Sequence, residues 1–293
     1  MSPEVWAMVV AGVAALAAGL VLARDRFVAA RGIGKVIVLG PVFEAVALAV
    51  FSAEHFTAAS DLAPIVPKWL PYPMFWTYFF GTALLAAAIS FIIWRCVRWS
   101  GLLLALFFLL VVTTISLPNL PGHVHDRFGW ILTVRETGFA CGAMVLAGSV
   151  WPRGNWFGTA LVRVGRTVLA PIFVFYAIEH FLFPKNVPGV PLEKLILAGF
   201  PAPTLLSYVI GIILLLAGFG LLFRKSVSIS AAVSGTVLLL LTVSFYLPIF
   251  LMETRSPMAA VEGMNYVGDT LLFAATALLA GFDDHKRLEE ISR

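Results

Sequence analysis

The sequence predicts an all-α, polytopic membrane protein: one N-terminal anchor helix followed by two tandem, parallel four-helix bundles, about nine transmembrane helices in all. Three observations predict this class. The chain of 293 residues is 60% hydrophobic and only 12% charged, with a mean hydropathy of +0.96, whereas soluble domains carry about 25% charged residues. Its apolar stretches run to roughly 20 residues, enough for a helix to cross about 30 Å of hydrocarbon, whereas the strands of membrane barrels are about 10 residues long and alternate apolar with polar. Finally, the second half of the chain repeats the first.

The first apolar segment, about 5–23, has Glu4 before it and Arg24, Arg26, Arg31 and Lys35 after it. A signal peptide has the opposite pattern, so the segment reads as an uncleaved anchor with its N-terminus outside. Eight further apolar segments follow, at about 36–56, 74–94, 99–117, 130–150, 167–183, 203–223, 228–250 and 260–281. Nine crossings from an outside start put the C-terminus in the cytoplasm. Arg95, Arg98, Arg163, Arg166, Arg224 and Lys225 then join the first four basic residues on the cytoplasmic side, as the positive-inside rule requires. The expected location is the bacterial inner membrane. The expected organisation is an anchor (1–30), a first unit (31–150), a cytoplasmic linker (151–164), a second unit (165–283) and a cytoplasmic tail (284–293). The net charge of +4 is spread over helix-flanking loops, so topology explains it and no nucleic-acid partner is expected. Cys96 and Cys141 lie far apart with no CxxC spacing, which indicates neither a disulfide framework nor a zinc site.

The repeat is read by shifting the chain by 130 residues. Phe75-Trp76-Thr77-Tyr78-Phe79-Phe80-Gly81 then falls on Leu205-Leu206-Ser207-Tyr208-Val209-Ile210-Gly211, Pro71 and Pro73 on Pro201 and Pro203, and Leu117-Pro118 on Leu247-Pro248. A three-residue insertion changes the shift to 133, and Glu136-Thr137 meets Asp269-Thr270. Four crossings per unit is an even number, so the copies share one orientation and are expected to be related by an axis along the membrane normal.

Within this frame the polar residues of the apolar segments stand out, because ionisable groups in a membrane need water, a partner or a ligand. Glu54-His55 and Glu179-His180 end corresponding helices. Each histidine reads as a proton or ligand contact or as a capping group at the interface, with metal or haem ligation less expected. Adjacent residues on a helix point about 100° apart, so each Glu-His pair addresses two directions. Glu136 and Asp269, on the last helix of each unit, are candidate proton-handling acids or members of an interhelical ion pair. Arg135 stands beside Glu136 and could neutralise it or Asp126. Glu44 lies near mid-membrane on the face that also carries Leu48, Phe51 and His55, and has no counterpart in the second unit. Tyr78 and Tyr208, with Thr77 and Ser207 at the same level, could bond a quinone carbonyl or a lipid head group, and the tyrosines could instead belong to the interfacial aromatic belt. The proline-rich loops after the Glu-His pairs, 63–73 and 187–203, could roof each bundle or be plain connections. His123 and His125 form a His-x-His pair that is a weak metal signal by itself.

Each unit resembles the DoxX family of small four-helix bacterial membrane proteins. The resemblance rests on His55-Phe56 with Val66-Pro67 and Gly81, and on His180-Phe181 with Gly189-Val190-Pro191 and Gly211. It covers roughly 36–150 and 165–283 but not the first helix, and the fused tandem departs from the family pattern. The resemblance implies a membrane subunit of a quinone-linked oxidoreductase. The functional expectation is therefore a quinone-interacting subunit of an electron-transfer system, with Glu54, His55, Glu136, Glu179, His180 and Asp269 lining an outward-facing pocket. Glu44, Tyr78 and Tyr208 are the expected quinone contacts, and no haem or metal is expected. Membrane lipid, quinone and a periplasmic or membrane redox subunit are the expected partners. The alternatives are a lipid or small-molecule carrier and a non-catalytic scaffold.

Overall fold

The computed structural model describes residues 2–122, 125–152, 154–196, 202–253 and 256–282. Helices dominate, and the nine predicted segments all form long ones: α1 (Pro3–Leu22), α2 (Gly40–Thr57), α3 (Pro73–Ile93), α4 (Val97–Val111), α5 (Arg127–Ser149), α6 (Trp156–Leu182), α7 (Pro203–Leu221), α8 (Val227–Leu241) and α9 (Pro257–Leu279). Among the described residues, eight helical segments are long and apolar enough to cross a membrane, so the chain is a multi-pass membrane protein. The ninth, α9, is 23 residues long. Glu262, Asn265 and Asp269 lower its apolarity, and it packs in the interior against α2, α8 and α5.

Local chemistry explains the helix ends. Pro73 and Pro203 open α3 and α7, where a missing N–H costs nothing. The residues before them, Tyr72 and Ala202, both adopt left-handed backbone (φ 58° and 48°). Asp126 caps α5 by accepting from the Phe128 N–H (2.9 Å), and Asn155 caps α6 through the Gly158 N–H (3.0 Å). That second cap moves the start of α6 well ahead of position 167, so most of the segment read as a linker, 151–164, is helix. α4 and α8 each pass through one π-helical turn, Val112–Ser116 and Thr242–Tyr246. These turns lie 130 residues apart, the spacing of the repeat.

The two four-helix sets interlock. Each has its helices packed in chain order, α2 to α5 and α6 to α9, but neither closes on itself. α2 packs against α9 and α6 against α5, so the first helix of each set lies on the last helix of the other, and α5 meets α9 between them. α1 lies outside the ring, against α2. Small residues permit these crossings, as is common where helices pack in lipid. A Cβ at Gly142 of α5 would lie 2.7 Å from Thr276 Oγ1 and 3.0 Å from Thr276 Cα of α9. Gly142→Leu is therefore expected to destabilise the protein by at least about 1–3 kcal/mol through overpacking, read as a lowered melting temperature in detergent. An unchanged melting temperature would show that the α5–α9 crossing is looser than described.

Candidate functional site

A cavity of about 240 Å³ opens between α2, α3, α4 and α5, bordered by Leu62, Ile65, Val66 and Pro67 of the loop that follows α2. The loop read as a possible roof thus forms part of its wall. Five phenylalanines, Phe51, Phe80, Phe107, Phe108 and Phe139, stand among the apolar lining residues, and His55, Thr77, Arg135, Glu136 and Asp269 supply the polar groups. Apolar walls with a few convergent polar groups are the usual form of a small-molecule site.

The polar groups are held from several helices. Arg135 and Glu136 are neighbours on α5, so they point about 100° apart. Arg135 turns to α9, where its Nη1 lies 2.5 Å from Asp269 Oδ2, both side chains nearly buried. Glu136 turns to α4 and accepts from the Ser116 hydroxyl at the end of the π turn. Arg135 therefore forms its salt bridge with Asp269 of the other half rather than with its neighbour Glu136 or with Asp126. Arg135 Nε is buried and has no hydrogen-bond partner among the described residues.

On α2, Ser52 donates to Gly81 O (2.8 Å). A Cβ at Gly81 would sit 2.7 Å from His55 Cβ, so glycine allows α3 to press against the histidine. His55 Nδ1 lies 2.8 Å from Phe51 O. A carbonyl only accepts, so Nδ1 carries the proton, and in the neutral ring Nε2 is an acceptor. His55 lines the cavity, and no hydrogen bond to Nε2 is formed among the described residues. Glu54 points the other way, as the helical offset requires, and accepts from Asn265 Nδ2 of α9 (2.7 Å).

The second half uses the same residues differently. Glu179 binds Arg127 Nε of α5 (2.6 Å), and Arg127 Nη2 donates to Leu192 O (2.9 Å). His180 is fully buried, with Nδ1 on Tyr176 O (2.6 Å) and Nε2 accepting the Gly189 N–H (2.9 Å). Of the six expected pocket residues, the structure brings His55, Glu136 and Asp269 together in the cavity. Glu54, Glu179 and His180 are engaged elsewhere by interhelical or loop bonds.

The expected quinone contacts lie outside the cavity. Tyr78 and Tyr208 are 42% and 40% exposed and sit beside Phe56 and Phe181 on the outer surface, while Thr77, next to Tyr78, lines the cavity. Glu44 is 1% exposed, lies deeper on α2, and has one carboxyl oxygen without a hydrogen bond among the described residues. His123 lies outside the described residues, as do Arg153, Pro201, Arg255 and the tail 284–293, while His125 is exposed. No group of three or more His, Cys, Asp or Glu side chains that could hold a metal occurs among the described residues.

Sequence reasoning missed the five-phenylalanine lining, Ser116, and a network at the loop that follows α6. There the Tyr266 hydroxyl lies 2.6 Å from Glu193 Oε2 and 2.8 Å from Glu262 Oε1, with Lys194 Nζ 3.7 Å from Glu262 Oε2. Burial raises the Glu193 carboxyl above its ordinary range, opposed by the Tyr266 hydrogen bond. The spacing of Glu262 and Tyr266 on one helical face was the available signal, but the loop partner could not be read.

Comparison with known proteins adds one finding: a family model described as a domain of unknown function (DUF8561) matches residues 44–127. The matched stretch runs from Glu44 to the start of α5 and contains much of the cavity lining. No curated protein and no solved structure matches the chain.

Proposed function

We propose that the chain is a quinone-interacting membrane component of an electron-transfer system, with its binding site in the cavity between α2 and α5. The observation that carries this reading is an imidazole acceptor, His55 Nε2, at the wall of a cavity lined by five phenylalanine rings and a half-buried Glu136. Oxidation of a hydroquinone releases two electrons and two protons. The aromatic walls suit a flat ring with an apolar tail, His55 Nε2 is placed to take one proton as a general base, and the Glu136 carboxylate is the second acceptor within the site. The electrons pass to a redox centre on a partner subunit. The DoxX-like pattern of each half supports the same class. The distribution of basic residues supports an inner-membrane orientation with the N-terminus outside and the Glu-His ends facing outward.

The test is saturable binding of a short-chain hydroquinone to purified protein in detergent, followed by intrinsic fluorescence, alongside solvent extraction of any co-purifying quinone. Val111→Trp, which fills the cavity from α4, is expected to weaken binding at least about tenfold while the protein still folds. Binding to neither redox form, or binding that the tryptophan leaves unchanged, would remove the proposal. A carrier of small amphiphiles is the second reading, favoured by Glu44, a buried acid in the second turn of α2 that the quinone reading leaves unused. Proteoliposome uptake unaffected by Glu44→Gln would count against it.

A further inference from the structure

In the second half the loop that follows α6 is packed into the interior, against positions that match part of the cavity wall of the first. Val187 through Leu192 are all buried, and Val190 and Leu192 have no exposed surface. The segment is tied down at each step. The Gly189 N–H donates to His180 Nε2, Thr270 donates to Val190 O, and Arg127 donates to Leu192 O. Gly189 passes so close to α8 that a Cβ there would meet the Tyr246 ring at 3.1 Å and Leu241 at 3.6 Å.

The repeat places two of these contacts, His180 and Leu241, at positions that line the cavity in the first half, and two more, Tyr246 and Thr270, next to it. His180 corresponds to His55, Leu241 to Val111, Tyr246 to Ser116, and Thr270 to Thr137, beside Glu136. His55, Val111 and Glu136 line the cavity, and Ser116 bonds Glu136. The loops correspond too, yet they end differently. Val190-Pro191 is buried inside the second half, whereas Val66-Pro67 remains partly exposed at the cavity wall and Ile65 is 55% exposed. Both histidines share the same Nδ1 bond to the carbonyl four residues earlier, which leaves Nε2 as acceptor in each. In the second half that acceptor holds a backbone N–H. In the first no donor from the described residues meets it, so a bound ligand can supply one.

We infer that the first-half cavity takes a single apolar ligand per chain, headed by a neutral hydrogen-bond donor such as a hydroxyl that His55 Nε2 accepts, while the loop Gly189–Leu192 stands permanently in the matching place of the second half. This rests on the quinone reading and narrows it: the His55 side of the site favours the reduced, hydroxyl-bearing form, since a quinone offers Nε2 no donor. An acceptor that a bound ligand covers without giving it a donor disfavours that ligand.

The experiment compares two redox-inert probes, 4-decylphenol and its methyl ether, binding to the wild-type protein in detergent, with stoichiometry measured by calorimetry. The expected result is one phenol per chain, bound about tenfold more tightly than the ether, the factor that one buried hydrogen bond supplies. In His55→Leu the two probes are expected to bind alike. Equal affinities in the wild-type protein, or two phenols per chain, overturn the inference. If a hydroquinone still binds in that case, the quinone reading stands without it. If neither probe nor any hydroquinone binds, both fall. The wild-type comparison needs no variant to fold.

Discussion

Arg135→Leu is expected to destabilise the protein by about 3–5 kcal/mol, the cost of leaving one member of a buried ion pair without its partner. Arg135 and Asp269 are 11% and 10% exposed, and each comes from the last helix of its half. Removing the guanidinium leaves the Asp269 carboxylate facing apolar walls at the α5–α9 seam, which is where the two halves hold each other. Arg135→Leu combined with Asp269→Leu is expected to recover most of the loss, because exchanging both partners of a buried pair for apolar groups is often close to neutral. Thermal or denaturant unfolding of the three variants in one detergent checks this. If the single variant melts like the wild type, water reaches the pair and the seam is held by packing alone.

The second large effect separates the two histidines. His180→Leu removes the acceptor for the Gly189 N–H, so a buried donor is orphaned and the loop loses its anchor. The expected cost is about 1–3 kcal/mol, with increased proteolysis between 186 and 193. His55→Leu gives up only the Nδ1 bond to Phe51 O of its own helix and orphans no buried donor, so it is expected to cost less than His180→Leu, yet to abolish the preference for a hydroxyl-headed ligand. Residues that look interchangeable in sequence thus answer to different assays. If both substitutions lower the melting temperature equally and leave binding alone, His55 is a structural group like its counterpart.

The membrane class, the order of the long helices and the placing of Glu136 and Asp269 on matching helices were all legible, because apolar length and periodicity are local properties. So was the divergence of direction within each Glu-His pair, which follows from the helical angle alone. What could not be read is which helix each group meets. Nothing in the spacing of α2 says that it packs on α9 rather than on α5, and that single fact decides that Glu54 meets Asn265 and that Arg135 meets Asp269. The cavity itself depends on where two similar proline-rich loops end. Val66-Pro67 and Val190-Pro191 look equivalent as dipeptides, and only long-range bonds to His180, Thr270 and Arg127 draw the second one inside. Tyr78 and Thr77 are neighbours with hydroxyls at one level, and only the helical offset decides that Thr77 lines the cavity while Tyr78 lies on the surface.

The paired π turns carry a consequence for phase. A π turn accommodates one more residue than an α turn, so everything beyond it is rotated by about 100° relative to an uninterrupted helix. Thr113, Thr114 and Thr242 stabilise the widened turns by donating to carbonyls one turn back, at 2.7, 2.6 and 2.9 Å. Both halves contain the extra residue at the same place, so their sequences stay aligned without a gap through Leu117-Pro118 and Leu247-Pro248, although neither helix keeps a 3.6-residue rhythm there. The added residue is what brings Ser116 round to Glu136. Deleting Thr113 would restore an ordinary helix and turn Ser116 away, so one residue of phase in α4 separates a cavity with a held carboxyl from one with a loose carboxyl.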